Sequence, residues 1–123
     1  MQLESTAKLL RIFIGEDDKH EGRPLYEVII EEARKRNMAG ATMLRGVMGF
    51  GANSRLHVAK VLRLSADLPI VIEIVDNPDR IDAFLPDLEY WIGEGLVTLE
   101  EITVVAYKHN YSPDPEEPDD EIG

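Results

Sequence analysis

The stretch Arg45-Gly46-Val47-Met48-Gly49-Phe50-Gly51-Ala52-Asn53-Ser54-Arg55 carries the residue types best suited to hold a small anion. Three glycines leave backbone N–H groups approachable, and an arginine at either end offers a planar fork of donors to a phosphate or carboxylate. Phe50 adds a face on which a ring can stack. The same pattern also fits a plain hairpin whose glycines serve turn geometry. In that case Arg45 and Arg55 are solvated, or Arg45 pairs with a carboxylate such as Glu73 across a sheet. Arg45 has no acidic neighbour in sequence, which leaves its guanidinium available for the binding role.

Other chemistry is thinly represented. The acidic run Glu16-Asp17-Asp18, followed by His20 and Glu21, could offer carboxylates to a hard cation. Its spacing departs from the ordered oxygen ligands of a calcium loop, and a solvated connection is the simpler reading. His20, His57 and His109 are scattered without metal-ligand spacing. No nucleophile elbow, zinc-protease helix or Walker loop is present. The chain has no cysteine, so disulfides, thiolate metal sites and a Cys nucleophile are excluded. The expectation is a protein that is not an enzyme and carries no metal.

The elements that must position the glycine-rich stretch follow from periodicity. Leu10, Ile12 and Ile14 alternate with Arg11 and Phe13, predicting a strand that ends at Gly15. A polar loop, Glu16 to Gly22, leads to Pro24 in the first turn of a helix with Leu25, Val28, Ile29 and Ala33 on one face. Arg34 to Arg36 suit its C-terminal turn and Asn37 its stop. A strand over Ala41 to Met48 enters the glycine-rich tip. Alternation from Leu56 to Leu64 returns from it, predicting a long hairpin arm. Ile70 to Val75 is the most strand-like segment.

Asn77 is expected to cap a second helix with Ile81, Phe84, Leu85, Leu88 and Ile92 buried and a kink at Pro86. Trp91, one position off that stripe, is assigned to core packing or a subunit interface. Gly93 and Gly95 close the helix, and Val97 to Tyr107 form the last strand. Two β-α-β halves in this order predict an α+β, ferredoxin-like sandwich: a four-stranded antiparallel sheet with both helices on one face and an extended arm.

The 123 residues suffice for one domain over residues 1–110. Residues 111–123 form an acidic tail, rich in proline and expected to be disordered. The net charge is −11, of which six negative charges lie between Asp114 and Glu121, leaving −5 for the rest. That balance argues against nucleic acid as a partner. No signal peptide or spanning segment is read, so a soluble, cytoplasmic protein is expected, with no direct membrane insertion.

Four motifs in order carry a resemblance. They are Gly22-Arg23-Pro24-Leu25-Tyr26, Gly40-Ala41-Thr42-Met43-Leu44-Arg45-Gly46-Val47-Met48-Gly49-Phe50-Gly51, Asp67-Leu68-Pro69-Ile70-Val71-Ile72-Glu73, and Glu94-Gly95-Leu96-Val97-Thr98-Leu99. Together, across residues 6–109, they resemble the PII-like domain-of-unknown-function family numbered 190. The resemblance implies a homotrimer of ferredoxin-like subunits that binds adenine nucleotides in clefts between subunits. The arm from Gly46 to Leu64 matches the mobile loop that reports occupancy, and Glu94-Gly95-Leu96-Val97 matches a second phosphate-facing turn. Glu94 replaces the glycine- and lysine-rich turn of true PII proteins and repels a triphosphate, which favours AMP.

The ligand-binding residues expected on these grounds are Arg45, Gly46, Val47, Gly49, Phe50, Gly51, Arg55, Gly95 and Leu96. The partner is an unidentified protein, such as a membrane transporter or an enzyme. The competing reading is a CutA-like metal-tolerance trimer using His20 and the acidic loop, or His57; the lack of cysteine and of His pairs counts against it. A catalytic acylphosphatase-like domain needs a paired Arg and Asn about a phosphate loop, and no such pair can be placed.

Overall fold

Two isoleucine-rich segments build the centre of the sheet. In strand β1 (Thr6–Gly15), Leu10, Ile12 and Ile14 are buried. In β7 (Pro69–Asp76), Ile70, Ile72 and Ile74 are fully buried on alternate positions. The isoleucines have the stiff, β-branched side chains that suit a pleated surface packed on one side. The two strands pair antiparallel from Lys8 with Asp76 to Gly15 with Pro69. The computed structural model describes residues 2–51, 56–58 and 67–109. Arg55, arm residues 59–64 and the tail 111–123 lie outside the described residues.

Between β1 and β7 come short strands β2 (Lys19–His20) and β3 (Arg23–Pro24), helix α1 (Leu25–Lys35), β4 (Gly40–Arg45), and the short strands β5 (Met48–Gly49) and β6 (His57–Val58). Helix α2 (Pro78–Trp91) and β8 (Leu96–Thr103) follow β7. The main sheet has the order β4-β7-β1-β8, with every neighbouring pair antiparallel. Each helix thus joins two parallel strands separated by one other, as the ferredoxin-like reading requires. Leu25, Ile29 and Ala33 of α1 and Ile81, Phe84 and Leu88 of α2 meet the buried isoleucines in one core.

The structure departs from expectation at element ends. The loop after β1 contains the β2–β3 hairpin, turned by Glu21 (φ 50°) and Gly22 (φ 82°). Two successive positive φ values are what a tight two-residue hairpin needs. Pro24 precedes α1 rather than sitting inside its first turn. Asn77 stands at the start of α2, yet its side chain makes no cap. Its Oδ1 accepts the Glu4 N–H at 2.7 Å and its Nδ2 donates to the Gln2 carbonyl, so it ties down the N-terminal segment instead. Helix α2 continues through Pro86. Strand β4 ends at Arg45 and β8 at Thr103, both earlier than the alternation suggests.

Trp91 packs against the core, edge-on to Phe84 with ring centres 5.6 Å apart, and Arg36 lies over both rings. Asp76 is the buried charged residue of this region. Its carboxylate accepts the N–H groups of Ala39 and Asn77 and the Nε–H of Arg80. Arg80 in turn donates to the Arg36 carbonyl, so one acid joins β7, α2 and the loop after α1.

Candidate functional site

Register places the described residues of the expected site at one end of the sheet, where β1 and β4 finish and β7 and β8 begin. Arg45 lies opposite Ile70, Gly15 opposite Pro69, and Phe13 opposite Leu96. The arm leaves β4 directly over Pro69. Gly46 donates its N–H to the Pro69 carbonyl at 2.7 Å. A Cβ on Gly46 would lie 2.8 Å from Pro69 Cγ, and one on Gly49 3.1 Å from the same atom. These two glycines therefore let the chain cross the proline ring, a packing role, and the Gly46 N–H expected to be approachable is instead taken up by the Pro69 carbonyl. Val47, Met48 and Phe50 are exposed on this crossing, with Phe50 70% accessible. The β5–β6 pairing, Met48 with Val58 and Gly49 with His57, bears out a hairpin at the base of the arm.

Arg45 is exposed, as a solvated arginine would be, but it also has an ion-pair partner, and that partner is not Glu73. Its Nη2 lies 2.6 Å from Oε2 of Glu16, the side chains being 48% and 24% exposed. Glu73 belongs to Arg11, at 2.7 Å, which raises the already high pKa of that guanidinium chiefly through this hydrogen bond. The Glu16 partnership was not legible in sequence because β1 and β4 are separated by β7; only the shared register with Ile70 brings their ends together.

The acidic loop uses its carboxylates locally. Asp18 accepts the Gly15 N–H at 2.9 Å and Asp67 accepts the Asp17 N–H at 2.8 Å. A Cβ on Gly15 would meet the Asp67 carboxylate at 2.8 Å. His20 packs edge-on to Tyr90. Among the described residues, no group of three or more His, Asp or Glu side chains is arranged to hold a metal ion.

Gly95 and Leu96 stand at the same end but on the other edge. A Cβ on Gly95 would lie 2.8 Å from the Phe13 carbonyl oxygen, so glycine permits the close approach of this turn to β1. An open groove of about 740 Å³ adjoins it between α2 and β8, lined by Leu88, Ile92, Val97 and Leu99 with Glu89 and Glu94. Arg45 and Gly95 are three strand spacings apart, about 14 Å at about 4.8 Å each. One chain does not bring the two halves of the expected site together.

Next to Arg45 and Gly95, the positions that face away from the helices form a row of their own. Leu44, Val71, Phe13 and Leu96 stand opposite one another in an unbroken row across the four strands. Leu44 and Leu96 are more than half exposed. The row two residues along is polar, with Thr42, Glu73, Arg11 and Thr98, and Arg11 also reaches Glu100 at 3.5 Å.

Comparison with known proteins follows the same outline. The DUF190 family model, described as Uncharacterized ACR, matches residues 7–104. A UPF0166 protein of Aquifex aeolicus is 39% identical over 98 residues, spanning 80% of this chain and 92% of its own. A UPF0166 protein of Methanocaldococcus jannaschii is 36% identical over 99 residues, spanning 80% and 91%. Among solved structures, CPII from Thiomonas intermedia K12 bound to ADP and bicarbonate is similar, with a TM-score of 0.54 and 18% identity, over 80% of this chain and 88% of that one. The same nitrogen regulatory PII-like protein bound to ADP, AMP and bicarbonate gives a TM-score of 0.51 at 19% identity, over the same shares. These likenesses bear out the ferredoxin-like, PII-like fold.

Proposed function

The chain belongs to the DUF190 family, and on that premise we propose that it is a PII-like regulator, not an enzyme, that binds an adenine nucleotide between the subunits of a homotrimer. AMP is the favoured ligand. Occupancy is reported to a partner protein, such as a transporter or an enzyme in the cytoplasm, through the arm that starts at Gly46.

The observation that carries this reading is the division of the site between two sheet edges. Arg45 and the Gly46–Gly51 amides lie on the β4 edge, and Gly95 and Leu96 lie on the β8 edge. A ligand the size of a nucleotide's phosphate touches both only where the β4 edge of one subunit meets the β8 edge of the next. The apolar row on the helix-free face offers the surface through which such subunits associate. In the proposed complex Arg45 grips the phosphate, the amides that follow Gly46, as far as Gly51, line it, Val47 borders it, and Phe50 stacks on the base. Arg55, from its place in the sequence, supplies a second guanidinium. The CPII structures support the ligand class, since that protein is bound to ADP and AMP. The metal reading has less support, because the Asp18 and Asp67 carboxylates already accept backbone N–H groups and Glu16 pairs with Arg45.

Calorimetric titration of AMP into the wild type and Arg45→Ala tests the proposal. A charge-assisted phosphate contact is worth about 1.5–3 kcal/mol, so affinity should fall by roughly ten- to hundredfold. Loss of the partly exposed Glu16 pair should change stability by no more than about 1 kcal/mol. Unchanged affinity with a marked loss of stability would make Arg45 structural, and copper or zinc binding in place of AMP would favour the metal reading.

A further inference from the structure

We infer that Glu16 determines specificity, its carboxylate setting how much negative charge the nucleotide site accepts. The inference rests on the nucleotide reading above and deepens it. Glu16 and Arg45 extend from strands that are not neighbours. Ile70 of β7 pairs with Ile14 on one side and with Arg45 on the other. The ion pair therefore bridges the start of β7 at the place where the arm departs.

The backbone that presents Glu16 is braced on both sides. Its own N–H donates to the Leu68 carbonyl at 2.8 Å. The Gly15 N–H before it goes to Asp18, and the Asp17 N–H after it goes to Asp67. The backbone is thus held in place, and the carboxylate it carries lies 2.6 Å from the guanidinium. A phosphate approaching Arg45 meets a cation already partnered, and it must share or displace that carboxylate.

The consequence depends on ligand charge. AMP, ADP and ATP offer the same adenosine and the same first phosphate, so contacts to Arg45 and to the arm amides are common to all three. Repulsion from a nearby carboxylate grows with each added phosphate. Glu16 therefore penalises ATP more than AMP. It acts from the β4 edge, and Glu94, on the opposite edge beside Gly95, has the same sign. Asp17, next in sequence, is exposed, and no contact between its carboxylate and Arg45 is described.

Titration of AMP, ADP and ATP into the full-length wild type, Glu16→Gln and Asp17→Asn, at one ionic strength, tests this. Gln keeps the length of the side chain and removes its charge. All three affinities should rise in Glu16→Gln, that for ATP most, so the preference for AMP over ATP falls by about five- to tenfold. Asp17→Asn should leave that preference within about twofold, since an exposed charge is screened. Proportionate weakening of all three ligands in Glu16→Gln would instead make Glu16 a buttress for Arg45. An unchanged preference, or an equal change in Asp17→Asn, would also overturn the inference while leaving the nucleotide reading intact. Absence of nucleotide binding in every protein would remove both.

Discussion

Gly46 and Pro69 are joined twice, by a 2.7 Å hydrogen bond from amide to carbonyl and by a proline ring that occupies the space a Cβ on Gly46 would need. The arm is thereby seated on the first residue of β7 before it leaves the body of the sheet. Gly46→Ala forces Pro69 or the arm to shift, and overpacking of this kind costs about 1–3 kcal/mol. Gly49→Ala, with a 3.1 Å approach to the same ring carbon, should cost less. Urea denaturation of the two variants checks the order; equal stability of Gly46→Ala and wild type would contradict it.

Asp76 and Arg80 make the corresponding anchor at the far end of the sheet. Asp76→Ala leaves the N–H groups of Ala39 and Asn77 without their acceptor and Arg80 without its carboxylate. Because Arg80 is partly exposed, the loss should be about 2–4 kcal/mol, below the full cost of breaking a completely buried pair. AMP affinity of the folded variant should match wild type, since Asp76 pairs with Lys8 at the opposite end of β1 from Gly15. A variant that folds normally but fails to bind would place Asp76 in the site.

The apolar row on the helix-free face makes assembly testable without ligand. Light scattering of the wild type should give three times the 13.9 kDa chain mass. Leu44→Glu puts a charge into that row at a position already 52% exposed, so it should yield a folded monomer by circular dichroism. A wild type that stays monomeric at micromolar concentration would remove the intersubunit cleft.

The central elements were legible because burial writes a period into sequence: Ile70, Ile72 and Ile74 alternate, and Ile81, Phe84 and Leu88 recur at helical spacing. The residue types of Arg45 and the glycines suggest anion binding, while the partners the structure gives them are not legible in sequence. Pro69 and Glu16 meet them only through strand register, which local composition does not report. The β2–β3 hairpin is not legible as strand in the sequence because its strands are two residues long and its turn places a glutamate, Glu21, at positive φ. Asn77 has the residue type of a helix cap, yet its amide holds the N-terminal segment, a choice made by a tertiary neighbour.

The most direct measurement is a crystal structure of the protein grown with AMP. The account predicts a trimer with the phosphate about 3 Å from the Arg45 guanidinium and from arm amides between Val47 and Gly51 of one subunit. The same nucleotide should face the Gly95–Leu96 turn of the partner subunit, across the about 14 Å that separates the two halves within one chain. Nucleotide bound wholly within one chain, bound at the Asp76 end of the sheet, or missing at saturating AMP would contradict it.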